Sequence, residues 1–338
     1  MKNSSKKILI TGAGGFIGSH LVDLLVEKKL ASKLRLALLP EESTHNINHH
    51  KNLEIIRGDI RDSSFIKKAM KDVELVFHLA ARIDFDGKTY EEYEDVNVTG
   101  TKHLVNAAVA AKVKKFIFYS SIGVHGLPAG IGNIENWDES HPPTYTNFYG
   151  QSKWEAEECI REAHALTGLP YAIIRPVSVY GTREKGPTLG LYKAIHSGQF
   201  LLIGDGENLM HYVHVSDLVQ ATYLAAASKR KTGEYIIAGA EATKFKDVVK
   251  FVATSINKPL PKISLPKFFA MGISYFFEFF TLLTGVKLPL FPSRVKTMTT
   301  TYYFNISKAK KELGYAPKVS FEMGSKQLGK WYMEHNFL

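Results

Sequence analysis

Apolar and polar positions in the first half of the chain follow two alternating periods. Short apolar runs at 8–11, 34–39, 53–57, 75–79, 116–120 and 171–175 read as strands. Between them lie stretches with helical spacing. In 16–29, Ile17, Leu21, Leu24 and Leu25 share one side, and 63–70, 101–111 and 154–165 follow. Strand and helix in alternation predict an α/β fold, a doubly wound parallel sheet with helices on both faces. After Pro176 the pattern loosens as glycine and proline become frequent. There, 213–227 reads as a helix capped by Ser216 or Asp217, and 235–238 as a strand. Both are expected to return to the first unit.

Composition narrows the setting. Apolar residues make up 45% and charged residues 22%, enough to bury an ordinary core. One cysteine, Cys159, cannot form an internal disulfide; a reducing compartment and a buried, inert thiol are expected. The N-terminal MKNSSKK is basic, but the apolar run after it is too short for a signal peptide, so cytoplasmic residence is expected. The net charge of +10 comes without long basic runs or basic–aromatic interleaving, which argues against nucleic acid. The histidines of Thr44-His45-Asn46-Ile47-Asn48-His49-His50 have no carboxylates beside them; a solvated loop is expected, and no metal.

Chemistry enters with Thr11-Gly12-Ala13-Gly14-Gly15-Phe16-Ile17-Gly18, which closes the first strand and opens the first helix. Glycines let the backbone approach a pyrophosphate, and the helix N-terminus supplies N–H donors and a positive dipole end. In this setting the turn predicts a Rossmann-type dinucleotide site. An acid for the adenosine ribose belongs about 20 residues on. The second strand instead ends in Leu39-Pro40-Glu41-Glu42, with no arginine for a 2′-phosphate. Glu41 is the candidate, and its charge would repel NADP. NAD is therefore the expected cofactor, with NADP left open. Asp59, in Gly58-Asp59-Ile60, is either an acceptor for the adenine amino group or a cap for the helix at Ser63.

Tyr149 and Lys153, in Tyr149-Gly150-Gln151-Ser152-Lys153, stand four residues apart on one helix face. A lysine cation and the positive ring of an oxidised nicotinamide both favour the phenolate. That gives a base for alcohol oxidation or an acid for ketone reduction. Ser120-Ser121, ending the fifth strand, offers a hydroxyl to the substrate oxygen. The plainer alternative makes Tyr149 and Lys153 a solvated helix face and Ser121 a strand-end cap.

Together with HLAA at 78–81, Asn97 in NVTGT, RPVSVYG at 175–181, YVHVSDL at 212–218 and FNISKAKKELGYAPKVSFEMG at 304–324, these motifs resemble the extended short-chain dehydrogenase/reductase family over nearly the whole chain. The resemblance implies pyrophosphate contacts from Gly12, Gly15, Phe16, Ile17 and Gly18, and adenine contacts from Asp59 and Ile60. Ala80 and Ala81 would line the cofactor channel, and Pro176 would sit at the nicotinamide. Asn97, counted with the cofactor-binding set, would fix the active-site backbone. Ser121, Tyr149 and Lys153 would be catalytic. Asp217 matches a family position and is expected to be structural. The family also implies a cofactor-binding domain over 1–176 with returning segments at about 213–240. A smaller C-terminal substrate-binding lobe would come from 177–212 and 241–338. Homodimers are the family's habit.

The branch is read from departures. Family dehydratases carry Thr-Asp-Glu where this chain has Ser121-Ile122-Gly123. Nucleotide-sugar epimerases carry an arginine where Gly204-Asp205-Gly206-Glu207-Asn208-Leu209-Met210 places Met210, which cannot pair with a diphosphate. His125 replaces a common tyrosine and either faces substrate or packs. The segment 265–285 is dense in aromatics. It is a buried core helix, the wall of an apolar pocket, or a membrane-surface contact aided by Lys262, Lys267 and Lys287. This insert resembles the 3β-hydroxysteroid dehydrogenase branch. The expected activity interconverts a secondary alcohol and a ketone on a lipophilic substrate. The alternatives are a nucleotide-sugar epimerase acting through a transient ketone and a non-catalytic redox-sensing module.

Overall fold

The computed structural model describes residues 6–47, 50–51, 53–83, 89–126, 132–261, 263–285 and 290–338. His49, Lys262 and Lys287, named above, lie outside the described residues.

The strands are β1 (Lys7–Thr11), β2 (Leu34–Leu38), β3 (Glu54–Arg57), β4 (Val73–His78), β5 (Lys115–Tyr119), β6 (Ile134–Trp137), β7 (Tyr171–Pro176), β8 (Ser178–Tyr180), β9 (Leu202–Ile203), β10 (Leu209–Met210), β11 (Tyr212–His214), β12 (Glu234–Ile237), β13 (Thr243–Lys244), β14 (Ser264–Leu265) and β15 (Tyr302–Phe304). The main helices are α1 (Phe16–Glu27), α2 (Ser63–Ala69), α3 (Gly100–Ala110), α4 (Phe148–Thr167), α5 (Pro187–His196), α6 (Val215–Ala227), α7 (Phe245–Ser255), α8 (Lys267–Thr284), α9 (Pro292–Thr299), α10 (Ser307–Leu313) and α11 (Phe321–Glu334).

Seven parallel strands in the order β12-β7-β5-β4-β1-β2-β3 form the central sheet. Successive residues point to opposite faces, so each apolar strand feeds two cores. Ile8, Ile10 and Ile117 pack on one side with Leu21 and Leu25 of α1 and Leu218 and Ala221 of α6. Leu9, Phe116 and Phe118 pack on the other with Leu104 of α3 and Ala156 and Ile160 of α4. This is why the strands read as unbroken apolar runs. Strand β12 pairs with β7 at the sheet edge, and α6 packs on the sheet. A separate four-stranded sheet, β13-β10-β15-β6, combines β6 from within 1–176 with three strands from later in the chain, and α7 and α11 lie nearby.

Two of the differences from the sequence reading concern helix starts and caps. Helix α4 starts at Phe148, six residues before the predicted 154, because Asn147 Oδ1 accepts the Gly150 N–H at 2.7 Å and caps it. Helix α6 is capped by His214, whose side chain accepts from Ser216 N, not by Ser216 or Asp217. The Asp217 carboxylate instead accepts the N–H groups of Lys318 and Val319 at 3.0 and 2.9 Å, tying the C-terminal segment to α6.

Candidate active site

The strand order reverses between β1 and β4, and ligand crevices form at the carboxyl ends around such a reversal. A cleft of about 580 Å3 opens there. Gly12, Gly15, Phe16, Ile17 and Gly18 line it from the first turn, Asp59 and Ile60 from the loop after β3, and Ala80 and Ala81 from the loop after β4. Ser121, Tyr149, Lys153 and Pro176 line its far end.

The glycines of the turn are there for space. A Cβ on Gly18 would stand 2.0 Å from the Gly12 carbonyl oxygen. Gly12 has φ +68°, and a Cβ there would meet the Ala80 N at 2.8 Å. Only glycine lets the turn lie this close to the loop after β4.

Behind that loop runs a buried chain of hydrogen bonds whose donors and acceptors balance. Asn97 O accepts the Thr101 hydroxyl at 2.5 Å, and Thr101 Oγ1 meets His78 Nε2 at 2.9 Å. His78 Nδ1 meets the Thr11 hydroxyl at 2.8 Å, and Thr11 Oγ1 accepts the Ala80 N–H at 3.2 Å. Each hydroxyl donates once, so His78 carries its proton on Nε2. Burial, then the nearby Lys153 charge, push its pKa down to about 3, which keeps the ring neutral.

Asn97 is not among the residues that line the cleft. Its amide is turned inward, accepting the Arg82 N–H at 2.8 Å and donating to Arg82 O at 3.0 Å and Ser152 Oγ at 2.9 Å. It joins the loop after β4 to α4. The turn that holds it, Glu94–Thr99, is π-helical and leads into α3.

At the far end, α4 comes so close to the loop after β5 that a Cβ on Gly150 would stand 2.4 Å from the Gly123 carbonyl oxygen. That approach brings Ser121 to Tyr149. Ser121 Oγ accepts the Gly123 N–H at 3.0 Å and also hydrogen-bonds the Tyr149 phenol. Tyr149 sits in the first turn of α4, where the helix dipole favours an anion. Lys153 is buried one turn later, its Nζ 4.5 Å from the centre of the Phe118 ring. Burial pushes the phenol up to about 12, partly countered by Ser121. Burial also pushes the ammonium down to about 7, partly countered by Glu157. In the protein alone burial therefore outweighs the Ser121 hydrogen bond, and the phenol is not acidified.

A buried ionic cluster fixes α4 to the sheet. Arg175 on β7 donates to Glu157 at 2.9 and 2.6 Å and to Glu234 on β12 at 2.8 Å. Arg161 bonds the same two carboxylates.

Several side chains settle questions the sequence left open. Asp59 does not cap α2; Asp62 does, accepting from Ser64 N. Asp59 faces the cleft and pairs with Arg61 at 2.7 Å, which holds its carboxyl below the usual range. Glu42, not Glu41, reaches the cleft. A turn returns Glu42 N to Leu39 O at 3.1 Å, and a Cβ on Gly14 would stand 2.6 Å from the Glu42 carboxylate. Arg57 donates to the carbonyls of Leu39, Pro40 and Glu42, pinning that turn. His125 is buried near Trp137 and Phe304 and is not part of the cleft wall. Met210 is buried in the small sheet, with Tyr212 Oη 3.6 Å from its sulfur. Cys159 is half-buried rather than buried, and burial raises its thiol. His50 pairs with Asp23 at 2.6 Å, and His45 is exposed. The aromatic helix α8 is neither core nor part of the cleft wall; most of its large side chains are exposed.

The cleft suits a dinucleotide: a glycine turn at a helix N-terminus, a carboxylate at each side of the adenosine end, and the Ser120 hydroxyl. The last is buried and has no hydrogen-bond partner among the described residues.

Comparisons agree. The model of the NAD dependent epimerase/dehydratase family matches residues 8–238. An N-acetyl-alpha-D-glucosaminyl-diphospho-ditrans,octacis-undecaprenol 4-epimerase of Escherichia coli O157:H7 is 31% identical over 311 residues, 89% of this chain and 88% of that protein. A 3beta-hydroxysteroid-dehydrogenase/decarboxylase of Arabidopsis thaliana is 30% identical over 94% of this chain and 78% of its own. The crystal structure of DesIV, a dTDP-glucose 4,6-dehydratase from Streptomyces venezuelae with NAD bound, superposes with a TM-score of 0.78 at 25% identity, covering 98% of each chain.

Proposed function

This chain belongs to the NAD dependent epimerase/dehydratase family, and within it we propose a dehydrogenase that interconverts a secondary alcohol and a ketone on a lipophilic substrate, with NAD as cofactor. The observation that carries this reading is the trio of half-buried Ser121 and Tyr149 with buried Lys153 at one end of the cleft, with Gly123 beside it where an acid would serve dehydration. The buried Met210, in place of a cation, supports an apolar substrate, as does the likeness to a hydroxysteroid dehydrogenase.

Gly12, Gly15, Phe16, Ile17 and Gly18 would hold the pyrophosphate, Asp59 and Ile60 the adenine, and Glu42 the adenosine ribose. Ala80, Ala81 and Pro176 would flank the nicotinamide half. When bound, NAD would accept the hydride from the carbinol carbon. Tyr149 would take the hydroxyl proton, and Ser121 would donate to the oxygen as charge gathers on it. Lys153 would stabilise the phenolate across one helical turn. Because burial disfavours both ions, Tyr149 would rely on the positive charge a bound oxidised nicotinamide would supply, as well as on the lysine, to give up its proton. The lobe formed by 177–212 and 241–338 would close over the substrate.

The second reading, favoured by the undecaprenol-linked relative, is an epimerase that returns its hydride within one turnover. Purified protein and NAD, offered 3β-hydroxysterols, long-chain 3-hydroxy acids, UDP-sugars and a polyprenyl-diphospho-sugar, separates them. A dehydrogenase produces NADH in proportion to an oily alcohol consumed. Sugar turnover without NADH accumulation, and none of the oily alcohols, would overturn the dehydrogenase. Tyr149→Phe should lower turnover by about 10²–10⁴-fold while leaving NAD binding intact.

A further inference from the structure

Helix α8 is amphipathic with its apolar face outward. Ala270 and Ser274, one turn apart, are its buried residues. Ala270 packs with Ile203 of β9 and Val295 of α9. The opposite half carries Phe268, Phe269, Phe276, Phe279, Leu282 and Leu283, all exposed, from 59% for Phe279 to 83% for Phe268. At about 100° per residue these positions fall within one half of the helix circumference. The two charges of the helix, Lys267 at its first position and Glu278, leave that stripe uninterrupted. Leu260 and Ile263, just before the helix, are exposed as well. A soluble surface rarely presents so much contiguous aromatic area without a partner.

The charge around the patch selects the partner. Between Ile256 and Thr300 the sequence has Lys258, Lys262, Lys267, Lys287, Arg294 and Lys296, against Glu278 as the sole acid. Lys267, Arg294 and Lys296 are exposed on α8 and α9, which pack together. A second copy would bring these cations against their like across a two-fold axis, whereas anionic lipid headgroups would attract them. Among the described residues no helix is long and apolar enough to cross a membrane, and one side of α8 is already packed on protein.

We propose that α8 docks the protein on an anionic bilayer surface, its aromatic stripe in the acyl boundary and the flanking cations at the lipid phosphates. This goes beyond the proposed chemistry, and its test needs no substrate. The full chain is floated with vesicles of phosphatidylcholine alone or with phosphatidylglycerol added. It should float with the anionic vesicles, and the doubly substituted Phe276→Ser/Phe279→Ser protein should bind about tenfold more weakly, as should wild type in high salt. A Phe276→Trp protein, which keeps an aromatic side chain, should show blue-shifted emission on the anionic vesicles. Absence of flotation and of the blue shift in that protein would overturn the proposal. So would equal flotation of wild type and the serine variant. A wild-type dimer that the serine variant dissociates, with no vesicle binding, would assign the face to a second copy instead. Failure of the dehydrogenase reading leaves each of these readouts unchanged.

Discussion

The far end of the cleft and helix α8 handle their side chains in opposite ways. Around Tyr149 and Lys153, polar groups are buried and matched: Arg175 and Arg161 against Glu157 and Glu234, His78 between Thr11 and Thr101. On α8, large apolar groups face outward. The first region spends stability on holding a few atoms in place. The second contributes little to the fold and leaves a surface for something else. Where a protein buries its polar groups and where it exposes its apolar ones are thus separate clues to function, one to chemistry and one to contact.

The contrast is sharpest in the response to substitution. Glu157→Gln removes one partner from a buried ion pair and should cost about 3–5 kcal/mol in urea unfolding. Phe276→Ala on α8 should change the same measurement by less than about 0.5 kcal/mol. Equal losses at the two sites would erase the distinction.

Acid should weaken the buried region next. Burial holds His78 at about 3 and His125, His211 and His214 at about 4. In the unfolded chain each takes up a proton near its ordinary pKa of about 6.5, so the unfolded state binds more protons below that pH. Stability is therefore full above about 6.5 and falls as pH drops toward 4, by on the order of 3 kcal/mol for each ring that stays neutral. Urea midpoints at pH 7.5 and 5 check the sign, and His78→Gln should flatten the slope.

The smallest effect belongs to the rim. Glu42→Arg should leave unfolding unchanged and shift cofactor preference toward NADP by about tenfold, because an opposing charge at the ribose becomes a favourable one. Equal NAD and NADP constants in both proteins would remove Glu42 from the ribose.

Much of this was legible beforehand because the signals are local. Unbroken apolar runs, a glycine turn between strand and helix, and a Tyr–Lys pair at helical spacing each need only a few consecutive residues. What escaped depends on geometry at longer range. Glu42 reaches the cleft through a turn pinned by Arg57, so its neighbour Glu41 looked the better placed. The start of α4 was hidden because the residues after Asn147 lack apolar periodicity. Asn97 lies in a π-helical turn that no spacing rule marks, and its amide bonds run to Arg82 and Ser152 rather than to the cleft. For α8, apolar residues around most of the helix cannot say which side meets protein; only the packing of Ala270 and Ser274 does.

The chain from Asn97 through Thr101, His78 and Thr11 to Ala80 has a direction. Every proton in it points one way, and reversing any link would leave two donors or two acceptors facing each other. Its middle member must therefore accept at one end and donate at the other across the width of an imidazole. A lone change that removes the hydroxyl at 11 or 101, or the ring's donor–acceptor pair at 78, breaks the ordering at that point. The hydrogen-bond grammar of these three positions, more than their individual identities, is what this arrangement requires.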